Sequence, residues 1–148
     1  PSKATDLEKK IPLPSSFADF VLAFNLFEHI NNELKLALEV RRILKAGGVF
    51  YAVTPFLKEI HADPNDFFRL TPSAWQELLK MTGFKNIFIT PIAFGPLIAC
   101  YSLFQNICPK ILLLFLYPVC WSLDWLLLKL RPSWKNIFLL GVFITASK

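Results

Sequence analysis

Two short stretches of the chain are apolar without a break, residues 20–24 (Phe-Val-Leu-Ala-Phe) and 49–53 (Val-Phe-Tyr-Ala-Val). Runs of that length predict strands buried on both faces of a parallel sheet. Between them Leu36, Ala37, Val40, Ile43 and Leu44 recur at three- and four-residue spacing, which predicts a helix running through Arg42. Strand, helix and strand form a βαβ crossover. Open parallel sheets take their ligands beyond the carboxyl ends of the strands. The loops after Ala23 and after Val53 are therefore where function is to be sought.

Local signals bound these elements. Asn31 or Asn32 serves as the helix N-cap, with Glu33 in the first turn. Arg41, Arg42 and Lys45 crowd the C-terminal end, and Gly47 suits a left-handed C-cap. Upstream, residues 4–7 read as the tail of an earlier strand, and Ile11-Pro12-Leu13-Pro14 as an extended connector. Downstream, Thr71 caps a second helix with Pro72 at its first position, Leu70 is placed to staple onto Trp75, and Gly83 ends it. Residues 84–90 alternate as a third strand. Then come a turn at Gly95-Pro96, a helix over 97–107, and one or two helices over 110–129, bent at Pro118. A turn at 131–133 leads to a final buried strand over 137–145, broken by Gly141, which reads as a C-terminus tied into the sheet. The first residues, Pro1-Ser2-Lys3, are already close to a loop, and the chain reads as part of something longer.

Composition separates the two ends. Of 148 residues 54% are apolar, and mean hydropathy is +0.45. Residues 1–90 carry 11 Lys/Arg against 10 Asp/Glu, and residues 91–148 carry 5 against 1, so four of the five net positive charges lie in the second stretch. No charge occurs over 86–109 or over 111–123. A greasy, mildly basic segment points to an anionic membrane surface, and the lack of a stripe of interleaved basic and aromatic residues argues against nucleic acid. A spanning helix wants about 20 apolar residues. Here Pro118 interrupts the uncharged run and Asp124 closes it, so an interfacial or substrate-covering insertion over 92–130 is preferred to a core-filling pair, and both to a true span. Cys100, Cys108 and Cys120 fit no zinc spacing and read as buried thiols of a reducing compartment.

Asp19-Phe20-Val21, the Asn25…Glu28-His29 step, and Arg41-Arg42-Ile43-Leu44-Lys45-Ala46-Gly47-Gly48 followed by an apolar strand resemble the second half of class I S-adenosylmethionine-dependent methyltransferases. The group most alike is related to ubiquinone-biosynthesis methyltransferases. Ala46 replaces the family's usual Pro, and Ala18 stands where an aromatic usually precedes the Asp. The loop from His61 to Thr71 resembles a bacterial subset linked to surface-polysaccharide genes. The resemblance implies an α/β fold, a partial Rossmann-like sheet comprising strands four to seven of the family order 3-2-1-4-5-7-6, the last one antiparallel. The whole of 1–148 would be the C-terminal part of one methyltransferase domain, with 92–130 a hydrophobic helical insertion before the last strand. The first three strands and their Gly-rich loop have no counterpart here, since Gly47-Gly48 is the only glycine pair.

The resemblance also implies roles. Asp6 and Leu7 match the position that meets the adenine of S-adenosylmethionine, and Asn25 and His29 the loop facing its sulfonium. Asp19 reads as holding the start of its strand. Related quinone methyltransferases bind a divalent metal through Glu-x-x-Glu-His. Asn25 takes the place of the first Glu, which leaves two ligands, so no metal is expected and Glu28 and His29 are read as ordering their loop. His61 has two readings: a general base for an acceptor hydroxyl, or a structural partner of Asp63 or Asp66. Asp66 and Arg69, both candidate substrate-side residues, are read as pairing with each other to position the next helix, or else Arg69 meets an anionic substrate group. The activity expected is methyl transfer from S-adenosylmethionine to a small-molecule or lipid-linked acceptor, in the cytoplasm or peripherally at the inner face of the membrane, with the missing N-terminal half as partner. The alternative is a non-enzymatic membrane-associated protein whose half-domain carries a hydrophobic hairpin.

Overall fold

In the computed structural model, which describes residues 6–62 and 65–148, four strands and four α-helices follow one another. They are β1 (Ala18–Phe24), α1 (Glu33–Ile43), β2 (Leu44–Pro55), α2 (Pro72–Met81), β3 (Lys85–Ile92), α3 (Pro96–Phe104), α4 (Lys110–Leu130) and β4 (Gly141–Ser147). The sheet order is β1-β2-β4-β3. β1 and β2 are parallel. Against β2, Lys148 N–H meets Gly48 C=O while the Phe143 ring stacks on Tyr51, so β4 runs antiparallel. The expected βαβ unit and the reversed last strand are both present.

Capping explains the helix starts. Asn32 Oδ1 accepts Lys35 N–H at 2.9 Å, and Thr71 Oγ1 accepts Ala74 N–H at 3.2 Å with Pro72 behind it. Leu36, Ala37, Val40 and Ile43 are the buried face of α1. Arg42 does more than meet the helix dipole: it donates to Glu39 and to the carbonyls of Ile11 and Leu13, which ties down the connector. Phe27, Phe50, Trp75 and Leu79 are fully buried and form the heart of the core with Leu36, Leu44 and Ile144.

Five expectations change. Gly47 does have φ +76°, but it does not cap α1: Leu44 closes the helix in an extended conformation, and Gly47 lies inside β2 where the register with β1 slips from Ala18↔Leu44 to Phe20↔Val49. β1 is not buried on both faces. It is the sheet's edge, and Phe20, Leu22 and Phe24 are each more than half exposed. β4 begins at Gly141 instead of being broken there. The cysteines are free, but Cys100 is exposed and the other two are half-buried. Asp6 and Leu7 lie in a turn rather than a strand tail; residues 4–5 of that tail, and Asp63, lie outside the described residues.

By its internal contacts the chain divides into two units: Pro1–Thr54, His61–Thr90 and Phe143–Lys148 form one, Pro55–Ile60 and Pro91–Val142 the other. In the second, α4 is one continuous helix that includes Pro118, and only Leu113 and Asp124 of it are buried. Asp124 accepts the N–H groups of Leu97 at 3.0 Å and Ile98 at 2.7 Å, the first turn of α3, where a carboxylate suits the helix dipole. Gly95 makes room for it: a Cβ there would lie 2.4 Å from Asp124 Cγ, and its φ of +126° favours glycine. Asp124→Ala is expected to cost about 2–3 kcal/mol, the worth of a buried charged hydrogen-bond pair, with loss of helical circular dichroism at lower temperature. Gly95→Ala should reproduce that loss by displacing the carboxylate.

Candidate functional site

β1 and β2 carry their carboxyl ends to one place. The chain leaves β1 through Asn25, whose φ of +49° turns it sharply and whose N–H is held by Val53 C=O at 2.8 Å. One 3-10 turn follows, Phe27–His29, which sinks Phe27 into the core and carries Glu28 in beside it. Phe27 is fixed by Trp75, its ring 4.9 Å away at 62°, and Trp75 in turn donates Nε1–H to Thr54 at the end of β2. The core thereby dictates where Glu28 sits.

The loop after β2 folds back onto this turn. Phe67 N–H donates to Glu28 C=O at 2.7 Å, and His29 Nδ1 meets Asn65 C=O at 2.6 Å. The loop is braced by Asp66 and Arg69, which form a two-point ion pair, Nη1 with Oδ1 and Nη2 with Oδ2, the latter at 2.6 Å. Arg69 holds the Asp66 carboxyl far below the usual carboxylate range and its own guanidinium is shifted upward by the same bonds. Asp66 also takes His61 N–H at 3.1 Å and faces His61 Nδ1 at 3.4 Å.

His61 therefore stands edge-on to His29, ring centroids 5.1 Å apart at 84°. The Nε2 atoms of His29 and His61 face the same oxygen, Glu28 Oε1, at 3.8 and 3.9 Å. Glu28 is fully buried, and neither of its carboxylate oxygens has a hydrogen-bond partner among the described residues. A cavity of about 10 Å³ lies beside it, lined by Phe27, Thr54, Phe68, Leu70 and Trp75 as well as Glu28, room for about one water-sized group and not for an acceptor.

Of the sequence-predicted residues, the structure brings His29, His61, Asp66 and Arg69 together within one network, with Asn25 at the start of the turn that carries His29. Asp66 is buried against Arg69, so these two brace the loop. Asp6 stands apart, its carboxylate bonded to Glu8 N–H and paired with Lys9, which lowers its pKa. Asp19 pairs with Lys45 at 2.8 Å at the start of β1. Sequence reasoning left out the meeting of His61 with Glu28; the two are far apart along the chain, and no local pattern announces it.

A sequence model of the family described as a methyltransferase domain matches residues 2–52. A relative described as a probable S-adenosylmethionine-dependent methyltransferase, from Mycolicibacterium smegmatis, is 29% identical over 82 residues, covering 51% of this chain and 32% of the relative. The chain thus spans about a third of that curated protein. Among solved structures, a SAM-dependent methyltransferase from Archaeoglobus fulgidus aligns with a TM-score of 0.61 at 15% identity, over 99% of this chain and 66% of the other. Phosphoethanolamine N-methyltransferase 2 of Haemonchus contortus, solved with S-adenosyl-L-methionine, aligns with a TM-score of 0.58 at 18% identity, over 97% of this chain and 36% of the other. At these identities the structural matches speak for the fold.

Proposed function

We propose that this chain is part of a class I S-adenosylmethionine-dependent methyltransferase, as its similarities in sequence and fold support, and that it supplies the acceptor side of an enzyme that methylates an amphipathic or lipid-linked molecule. The observation that carries the reading is the β1-β2-β4-β3 order with a reversed β4, joined to a polar cluster at the carboxyl ends of β1 and β2. The strands that complete the sheet would come from residues N-terminal to this chain. They would pair with the edge of β1 and cover Phe20, Leu22 and Phe24, which are exposed here.

In the reaction the S–CH₃ bond of the sulfonium breaks as the acceptor's nucleophilic atom bonds to the methyl carbon. The electron pair stays on sulfur, and the acceptor loses its proton. The protein's contribution is alignment and exclusion of water. Asp6 and Leu7 are assigned to the adenine, Asn25 and the His29 turn to the sulfonium side, and His61, oriented by Asp66, to activation of the acceptor. Arg69 positions Asp66.

The acceptor class is argued from α4 alone. Its 21 residues span about 31 Å. Ile111, Leu114, Phe115, Val119 and Leu130 are more than half exposed, Trp121 and Trp125 half exposed, and Lys129 lies 3.4 Å over the Trp125 ring. Apolar residues with two tryptophans and a lysine toward one end suit the headgroup boundary of an anionic bilayer. The full-length protein, incubated with membrane extract and S-adenosylmethionine carrying a labelled methyl group, is expected to label an organic-extractable product. Label that stays wholly in small water-soluble acceptors would overturn the lipid-linked acceptor. The exposed α4 also favours the second reading, a non-enzymatic membrane scaffold, which requires that S-adenosylmethionine not bind.

A further inference from the structure

We propose that Glu28, His29 and His61 hold a divalent transition-metal ion, with zinc as the type case. Each offers one ligand atom, and the three lie within 4.8 Å of one another. A tetrahedral zinc with bonds of about 2.0–2.1 Å sets its ligand atoms roughly 3.4 Å apart. Glu28 Oε1 is 3.8 Å from His29 Nε2 and 3.9 Å from His61 Nε2, so these two pairs would close by about half an ångström, while the two imidazoles, whose ligand atoms lie within 4.8 Å, would swing together by up to roughly 1.4 Å.

Three independent features point the same way. Glu28 is buried with both carboxylate oxygens lacking hydrogen bonds among the described residues, a costly arrangement that a cation at Oε1 would relieve. Both imidazoles present Nε2 toward Glu28 Oε1, while Nδ1 of His29 meets Asn65 C=O and Nδ1 of His61 faces the Asp66 carboxylate at 3.4 Å with Arg69 Nη2 at 3.5 Å beside it. A carbonyl or carboxylate behind the distal nitrogen is the arrangement that orients metal-ligating histidines. Arg69, a cation near enough to act on Glu28, has its charge opposed by the two-point pair with Asp66. The ligand set differs from the sequence expectation, which counted Glu28 and His29 only; His61 arrives from the loop after β2.

Two imidazoles and a carboxylate suit zinc, iron(II) or manganese(II), and three protein ligands leave a fourth position open. An acceptor hydroxyl taken into that position becomes more acidic and releases its proton to solvent, so the ion, held in part by His61, activates the nucleophile. This last step rests on the methyl-transfer reading; the site does not.

The test is calorimetric titration of the chelator-treated full-length protein with Zn²⁺, repeated with Co²⁺ for its visible absorption bands. One ion per chain is expected, with tetrahedral or five-coordinate cobalt bands. Glu28→Gln and His61→Ala should each weaken binding at least tenfold, and Asp66→Asn about tenfold through the orientation of His61. His61 is partly exposed in a loop, so its variant should fold; an unchanged thermal unfolding profile would confirm that. Absence of stoichiometric binding, or binding unaffected by both ligand variants, would overturn the site. If zinc binds and S-adenosylmethionine does not, the site stands and the methyl-transfer reading falls. Activity that depends on His61 with no ion bound would make His61 a free base and overturn the ion's role.

Discussion

Trp75→Ala is expected to lower the unfolding free energy by about 3–5 kcal/mol, the cost of emptying a large buried aromatic site. Trp75 is fully buried and performs three jobs at once. It fills the space between α2 and the sheet, meets the edge of Phe27 at a centroid distance of 4.9 Å, and gives its indole N–H to Thr54 Oγ1 at 3.1 Å. A protein with the usual 5–15 kcal/mol of stability loses a large part of it with that residue. Denaturant unfolding followed by circular dichroism measures the change. Thr54→Val separates the parts: it leaves the indole N–H buried without an acceptor and should cost about 1–3 kcal/mol. Because Phe27 adjoins Glu28, Trp75→Ala should also loosen the polar cluster, read as faster amide exchange at His29. A Trp75→Ala change below about 1 kcal/mol would contradict the packing described.

The second large effect belongs to Asp66. Asp66→Ala removes the carboxylate that faces Arg69, accepts His61 N–H and stands behind His61 Nδ1. Breaking a well-buried ion pair costs about 3–5 kcal/mol. Arg69 keeps partial access to water, 22% of its side chain, so the expected loss falls below that range, at about 2–3 kcal/mol. The loss should be local. The loop holding His61 should become the first site of proteolytic cleavage, while the β1–α1–β2 unit keeps its protection from exchange. Cleavage no faster than in the unaltered protein would show that the loop is held by other contacts, Phe67 N–H on Glu28 C=O foremost.

What could be read along the chain was what local chemistry decides. Asn32 and Thr71 cap their helices because short polar side chains reach the first-turn N–H groups, and Pro72 marks the first position for the same local reason. The face of α1 follows from spacing alone. Non-local arrangement was not legible. The run from Phe20 to Phe24 has the apolar content of a central strand, and nothing in it states that it lies at the edge of the sheet. Gly47 is left-handed as expected, yet its use is a slip in strand register rather than a helix end, because burying Leu44 draws the chain straight into β2. Asp124 looked like a charge closing an apolar run; it is buried because α3 brings two unpaired N–H groups to it. His61 and Glu28 meet through a loop whose path is set by Asn65, Asp66 and Phe67, each bonding to something distant in sequence.

Methyl transfer requires S-adenosylmethionine to bind in the crevice at the ends of β1 and β2. Calorimetric titration of the full-length protein with S-adenosylmethionine, compared with an Asn25→Trp variant that crowds the end of β1, tests this directly. Saturable one-to-one binding that the variant weakens at least tenfold is the predicted result. No saturable binding by the unaltered protein, or equal binding by the variant, would contradict it.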